Sequence, residues 1–116
     1  MRVGIYARVS THDQQTLPMQ LKQMKDYIKN RKWKLTAEFQ EIGSGATTRP
    51  KREELLKMVR RREIDAILVW KLDRFGRSLA DLVTSLNELR ELGVVFVSLT
   101  ESLDFSTPSG RAMAGM

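Results

Sequence analysis

Three arginines, one aspartate and one serine are the residues here whose types and spacing suit chemistry. Arg8 and Ser10 stand two apart near the amino terminus, and Asp73, Arg74 and Arg77 fall within the stretch WKLDRFGRS, residues 70–78. A guanidinium offers a rigid fork of donors that matches phosphate oxygens, and it stays charged at any relevant pH. A phosphoryl group under in-line attack spreads negative charge over its equatorial oxygens. Preorganised cations therefore stabilise its transition state more than its ground state. A serine among such cations can act as nucleophile and carry a phosphoserine intermediate. Spacing alone does not choose among Ser10, Ser44 and Ser78 for that role. A plainer reading also exists, since Asp73 and Arg77, four apart with the acid first, form an ordinary helix ion pair worth ~0.3–0.5 kcal/mol.

These residues need a scaffold, and the periodicity supplies one. Val3, Ile5, Ala7 and Val9 alternate with Gly4, Tyr6 and Arg8 as in a strand. From about Thr16 to Asn30, Leu17, Leu21, Met24 and Ile28 recur at helical spacing, with Pro18 in the first turn, where a missing N–H is harmless. Leu35 to Ile42 reads as a second strand closed by Gly43-Ser44-Gly45. Pro50 to Arg62 reads as a helix with Leu55, Leu56 and Val59 inward, and Ile64 to Leu72 as a third strand. Ser78-Leu79-Ala80-Asp81 resembles a capping box opening a helix along Leu79, Leu82, Val83, Leu86 and Leu89, which Gly93 stops. Val94 to Leu99 is a fourth strand. Thr107-Pro108 then looks like the start of a further helix.

Strand and helix alternate throughout, so the expected fold is α/β. It is a three-layer, doubly wound, mostly parallel sheet of four to five strands with helices on both faces. Ligands bind such sheets at the carboxyl ends of the strands. Strand one brings Arg8 and Ser10 there, strand two Ser44, Gly45 and Arg49, and strand three Asp73, Arg74 and Arg77. Tyr6, Arg8 and Ser10 share one face of strand one. Arg8 would be partly buried, and so needs either a carboxylate such as Asp73 or a bound anion.

The bulk properties narrow the classes. A chain of 116 residues with 41% hydrophobic content fits one domain and one core. With no cysteine there is neither a disulfide nor a thiolate metal site, and with His12 as the one imidazole a zinc centre is not expected. No apolar run reaches membrane-spanning length and no signal-peptide pattern opens the chain, which reads as a cytoplasmic protein. Net charge is +6, from 20 Lys and Arg against 14 Asp and Glu, a balance that favours polyanions, nucleic acid above all.

Four motifs then occur in order: YARVST (residues 6–11), LPMQ ending at Gln20, GSGATTRP around Arg49, and KLDRFGRS. In that order they resemble the catalytic domain of serine site-specific recombinases, the resolvase/invertase family, over essentially the whole chain. The resemblance implies a domain that cleaves and rejoins DNA through a covalent 5′-phosphoserine, with no metal and no cofactor. It makes Ser10 the nucleophile and sets Arg8, Arg74 and Arg77 around the scissile phosphate. Asp73 would organise those arginines and take part in proton transfer. Tyr6, Gln14, Gln20 and Arg49 would support the site or contact phosphate, and Lys71 would position the DNA backbone. The general base stays open. The resemblance further implies a homodimer and a synaptic tetramer in a full-length protein of bacterial, phage or mobile-element origin. Residues 1–116 would be its catalytic domain, stopping at the start of a long dimerisation helix and lacking the separate DNA-binding domain.

Plainer roles suit the other polar residues. His12 reads as exposed loop and no part of an acyl-transfer triad. Gln14 and Gln20 look like helix surface. Arg31, Lys32 and Lys34, and Arg60, Arg61 and Arg62, read as solvated faces. Lys51 and Arg52 join such a face or line a groove, and Trp33 and Trp70 read as core rather than as stacking platforms. Two other functions fit the same fold. One is a non-catalytic, DNA-associated regulatory or docking module, against which the full set of arginines counts. The other is a small-molecule phosphatase or nucleotide binder, against which the missing phosphate-binding glycine pattern counts.

Overall fold

The computed structural model describes residues 1–43, 50–72, 75–76, 78–101 and 103–104. Strand β1 (Arg2–Val9) is buried from Val3 onward on both sides, as a central parallel strand must be. One tight helical turn at Gln14–Thr16 leads into helix α1 (Leu17–Asn30), with Pro18 in its first turn. Then follow β2 (Lys34–Ile42), α2 (Pro50–Arg60), β3 (Ala66–Val69), α3 (Leu79–Glu91), β4 (Val95–Ser98) and the short β5 (Leu103–Asp104).

The sheet order is β2-β1-β3-β4-β5, parallel except for the antiparallel β4–β5 pair at the edge. After β2 the chain crosses back over β1 to form β3, so α1 covers one face of the sheet and α2 and α3 cover the other. Side-chain alternation makes this visible as two cores. Val3, Ile5, Ala7, Ala66, Leu68 and Val97 point to the α1 face and enclose Met24 and Ile28. Tyr6, Ile67, Val69 and Phe96 point the other way, onto Leu55, Leu56 and Val59 of α2 and Leu89 of α3. Both layers and the mixed edge agree with the expected doubly wound sheet.

Element ends show local causes. The Ser78 hydroxyl accepts from the Asp81 N–H at 3.1 Å, which satisfies one of the orphan donors at the start of α3. Gly93 takes a left-handed φ of 73° after α3, while the Val94 N–H reaches back to the Leu89 carbonyl at 2.8 Å. Three elements fall short of the pattern, the fourth strand by one residue at each end. The third strand is Ala66–Val69 rather than Ile64 to Leu72, because a continuous apolar run carries no alternation to mark its ends. The second helix stops at Arg60 rather than Arg62, where the chain turns through a positive φ of 61°. The helix expected from Thr107 lies outside the described residues. Among the described residues, no helix is long and apolar enough to cross a membrane.

Candidate active site at the carboxyl ends of the strands

The order β2-β1-β3 reverses direction at β1, and in open α/β sheets the crevice at such a reversal is where ligands sit. Arg8 and Ser10 close β1 at this point. The Arg8 side chain is buried, with 5% of the residue exposed, and its Nη2 donates to the Gly43 carbonyl at 2.5 Å. No carboxylate among the described residues forms an ion pair with it. The expected partner Asp73 lies outside those residues, as do Ser44, Gly45, Arg49, Arg74 and Arg77.

Tyr6, two residues earlier on the same face, is fully buried and donates its phenol to Glu41 Oε1 at 2.6 Å. The other oxygen of Glu41 accepts the Lys51 backbone N–H at 3.0 Å, in the first turn of α2. A carboxylate at a helix amino terminus meets both unpaired N–H groups and the positive end of the dipole. Glu41 thereby ties β1, β2 and α2 together directly beside Arg8, its register partner across the sheet. The sequence pattern gave no role to Glu41, because its place opposite Arg8 follows from the strand pairing, which no local pattern records.

Ser10 stands at the mouth of a second group. Its hydroxyl donates to Asp13 Oδ2 at 2.8 Å, and the Asp13 N–H returns a bond to the Ser10 carbonyl at 3.1 Å. The Asp13 carbonyl accepts from both the N–H and the hydroxyl of Thr16, and the Thr16 hydroxyl in turn accepts from Gln20 Nε2 at 3.0 Å. Gln14 is exposed and closes the same turn with a 3.3 Å bond to the Thr11 carbonyl. Asp13, Thr16, Met19, Gln20, Trp70 and Lys71 line a cleft of about 190 Å³ here. Lys71 is exposed on its rim, and His12 is exposed in the turn, as expected.

Gln20 corrects the sequence reading. It is buried rather than surface, and its Oε1 has no hydrogen-bond partner among the described residues. It lies three residues after Leu17 and four before Met24, on the buried side of α1, where its polarity had argued for water.

Arg52 is a second correction. It is 2% exposed, neither on a solvated face nor lining a groove. Its Nη2 meets the Ser85 hydroxyl and lies 3.3 Å from Asp81 Oδ2 on α3. Its guanidinium also stacks 4.8 Å from the ring centre of Phe75. Phe75 is itself wholly buried, edge-on to Tyr6 at 6.0 Å and to Phe96 at 5.1 Å. An added Cβ on Gly76 would come within 2.9 Å of Leu82 backbone atoms, so only glycine fits that close approach. Phe75 and Gly76 thus fix the middle of the stretch that carries Asp73, Arg74 and Arg77.

The entry to that stretch is held from β4. The Leu72 N–H donates to Glu101 Oε1 at 3.0 Å, and the Ser98 hydroxyl donates to the same oxygen. Burial pushes the Glu101 carboxyl up, but these hydrogen bonds outweigh it and hold the group below the ordinary carboxylate value. Trp33 and Trp70 pack against the α1-side core, as read from the sequence. Among the described residues no cluster of three or more His, Asp or Glu side chains is placed to hold a metal.

Comparison with known proteins places this geometry in a family. The model of the resolvase N-terminal domain matches residues 3–116. The chain is 41% identical over 112 residues to a DNA-invertase of Enterobacteria phage P7, covering 96% of the chain and 55% of that protein. It is 41% identical over 114 residues to the serine recombinase gin of Escherichia phage Mu, covering 96% of the chain and 53% of the relative. Against the Transposon Tn552 resolvase of Staphylococcus aureus it is 36% identical over 115 residues, 97% of the chain and 54% of the relative. The chain spans about half the length of these curated relatives. Among solved structures, the N-terminal catalytic domain of TP901-1 integrase superposes with a TM-score of 0.89 at 30% identity, covering 99% of this chain and 89% of that one.

Proposed function

The chain belongs to the resolvase family, whose N-terminal domain it matches, and from that premise we propose that it cleaves and rejoins DNA at Ser10. Ser10 Oγ attacks a backbone phosphorus, the new Oγ–P bond forms, and the bond from phosphorus to the 3′ oxygen breaks. The 3′ hydroxyl leaves, and the 5′ end stays on the protein as a phosphoserine ester. Because the ester conserves the bond energy, the reverse step rejoins DNA without a nucleotide. Arg8, Arg74 and Arg77 surround the phosphate and meet the charge that develops on its oxygens. Asp73 organises those arginines, Arg49 contacts phosphate, and Lys71 positions the DNA backbone beside the cleft. Tyr6, Gln14 and Gln20 support the site through the bonds described above.

The observation that carries this reading is Arg8. Its guanidinium is buried at a strand's carboxyl end and, among the described residues, meets a carbonyl and no carboxylate, and a buried charge in such a place calls for an anion. Residues 1–116 are read as one catalytic unit that works in homodimers paired into a tetramer, in the cytoplasm. The exposed Leu79 and Val83, four apart on α3, support such self-association.

The test uses the full-length protein and DNA of its own replicon. The wild type should leave DNA covalently bound to protein after denaturation, and Ser10→Ala should leave none. An adduct that persists in Ser10→Ala overturns the assignment. The non-catalytic alternative gains ground only if the wild type also forms none.

A further inference from the structure

We infer that Asp13 is the general base that takes the Ser10 proton, an inference that rests on the recombinase reading above. A serine hydroxyl is a weak nucleophile until a positioned acceptor removes its proton, and the structural mark of such a pair is hydrogen-bond contact between the two side chains. Ser10 Oγ and Asp13 Oδ2 are 2.8 Å apart, with the hydroxyl donating. The pair is half-buried: Ser10 and Asp13 both keep partial exposure, so DNA can reach the oxygen while bulk water is thinned around it.

The turn holds the Asp13 backbone in this pose. Its N–H is tied to the Ser10 carbonyl, and its carbonyl is held by the N–H and hydroxyl of Thr16. Gln20, buried on α1, fixes that hydroxyl at 3.0 Å. Nucleophile, acceptor and a third group that orients the acceptor's segment are therefore all present in one turn. Asp13 also lines the cleft that Lys71 borders, within reach of a phosphate that enters there.

The step balances. The proton passes from Ser10 Oγ to Asp13 Oδ2 as the Oγ–P bond forms. The bond to the 3′ oxygen breaks, and that oxygen takes a proton from solvent. Rejoining runs the other way, with Asp13 returning its proton to Ser10 as the serine leaves.

Two other charged or titratable groups among the described residues stand near this carboxylate. Lys71 lines the same cleft, and His12 is the preceding residue in the turn. Lys71, as an ammonium, offers donors and no acceptor. His12 is exposed and makes no described bond to Ser10, and it serves as the control.

The experiment follows covalent adduct formation by the full-length protein against pH, with gel shift at each pH. Asp13→Asn should slow adduct formation by about 10²–10⁴-fold, the usual reach of general base catalysis, while DNA affinity stays within about twofold. It should also lose the acid limb of the wild-type rate profile. Asp13→Glu should recover part of the rate together with that limb, and His12→Gln should leave the limb where it is. Wild-type rates in Asp13→Asn, or an unchanged acid limb, overturn the inference alone. Loss of DNA binding or of the melting transition together with cleavage assigns Asp13 to the fold and also overturns it. No adduct from the wild type overturns the recombinase reading, and this inference with it.

Discussion

Strand β1 carries an arginine at each end, and the two have opposite surroundings. Arg2, at the amino end, is exposed and bound to one carboxylate by three bonds. Its backbone N–H, Nε and Nη2 all donate to Asp65, at 2.8, 3.0 and 3.1 Å. That network, led by the side-chain hydrogen bond, holds the Asp65 carboxyl down at about 2. Arg8, six residues on, is buried and meets a carbonyl. Residue type and strand are the same, so neither distinguishes a structural arginine from a chemical one. Their described partners differ: the exposed arginine meets a carboxylate, and the buried one, among the described residues, meets the Gly43 carbonyl. The Arg2 end clips β1 to the β3 entry, whereas toward the Arg8 end Tyr6 packs on Phe75 and Ser10 follows.

If the Arg8 end is held by packing, the largest effect should come from its hub. Phe75→Ala should cost about 3–5 kcal/mol, the usual penalty for emptying a buried aromatic site, measured by denaturant unfolding with the slope unchanged. A loss under 1 kcal/mol would detach the Asp73–Arg77 stretch from the α2–α3 core.

Next in size is the arginine itself. Arg8→Ala should slow covalent adduct formation in the full-length protein by about 10²–10³-fold, as expected for removing one preorganised charge donor. Arg2→Ala, in the same assay, should change it less than about twofold. Equal losses in the two variants would erase the contrast between the strand's ends.

The Arg2 end supplies the smallest effect, and it has a sign. The Asp65 carboxyl titrates lower when folded than when unfolded, so its contribution is present above the unfolded value near 4. It is lost as the pH falls through about 2. The pair is about half exposed, so solvent screening keeps its contribution small. Asp65→Asn should therefore be slightly less stable than wild type at pH 6, and the gap should close by pH 2. Thermal melts across that range check it, and a gap that widens toward acid would reverse the assignment.

The same contrast explains what was legible in the sequence. The stripe of α1 was readable because burial on one face leaves a period, and the alternation in β1 because its two buried faces differ in residue type, aliphatic Val3, Ile5 and Ala7 on one and Gly4, Tyr6 and Arg8 on the other. Strand order and the antiparallel β5 were not, since no local pattern records which strand lies beside which. In the site, motif order marked Tyr6, Arg8 and Ser10, whose surroundings the structure then supplied. It passed over Asp13, Glu41 and Glu101, whose roles depend on partners brought in by a turn or from another strand. Gln20 and Arg52 were misread for the opposite reason. Both sit on buried helical stripes, Arg52 with Leu55, Leu56 and Val59, and the rule that polar residues face water overrode the period.

The central claim is that Ser10, and no other serine of this chain, becomes joined to DNA. Peptide mass spectrometry of the nuclease-trimmed adduct from the full-length protein tests it directly. A 5′-phosphonucleotide on the peptide that carries Ser10 is the expected result. The same mass on a peptide carrying Ser44 or Ser78, with Ser10 unmodified, would contradict it.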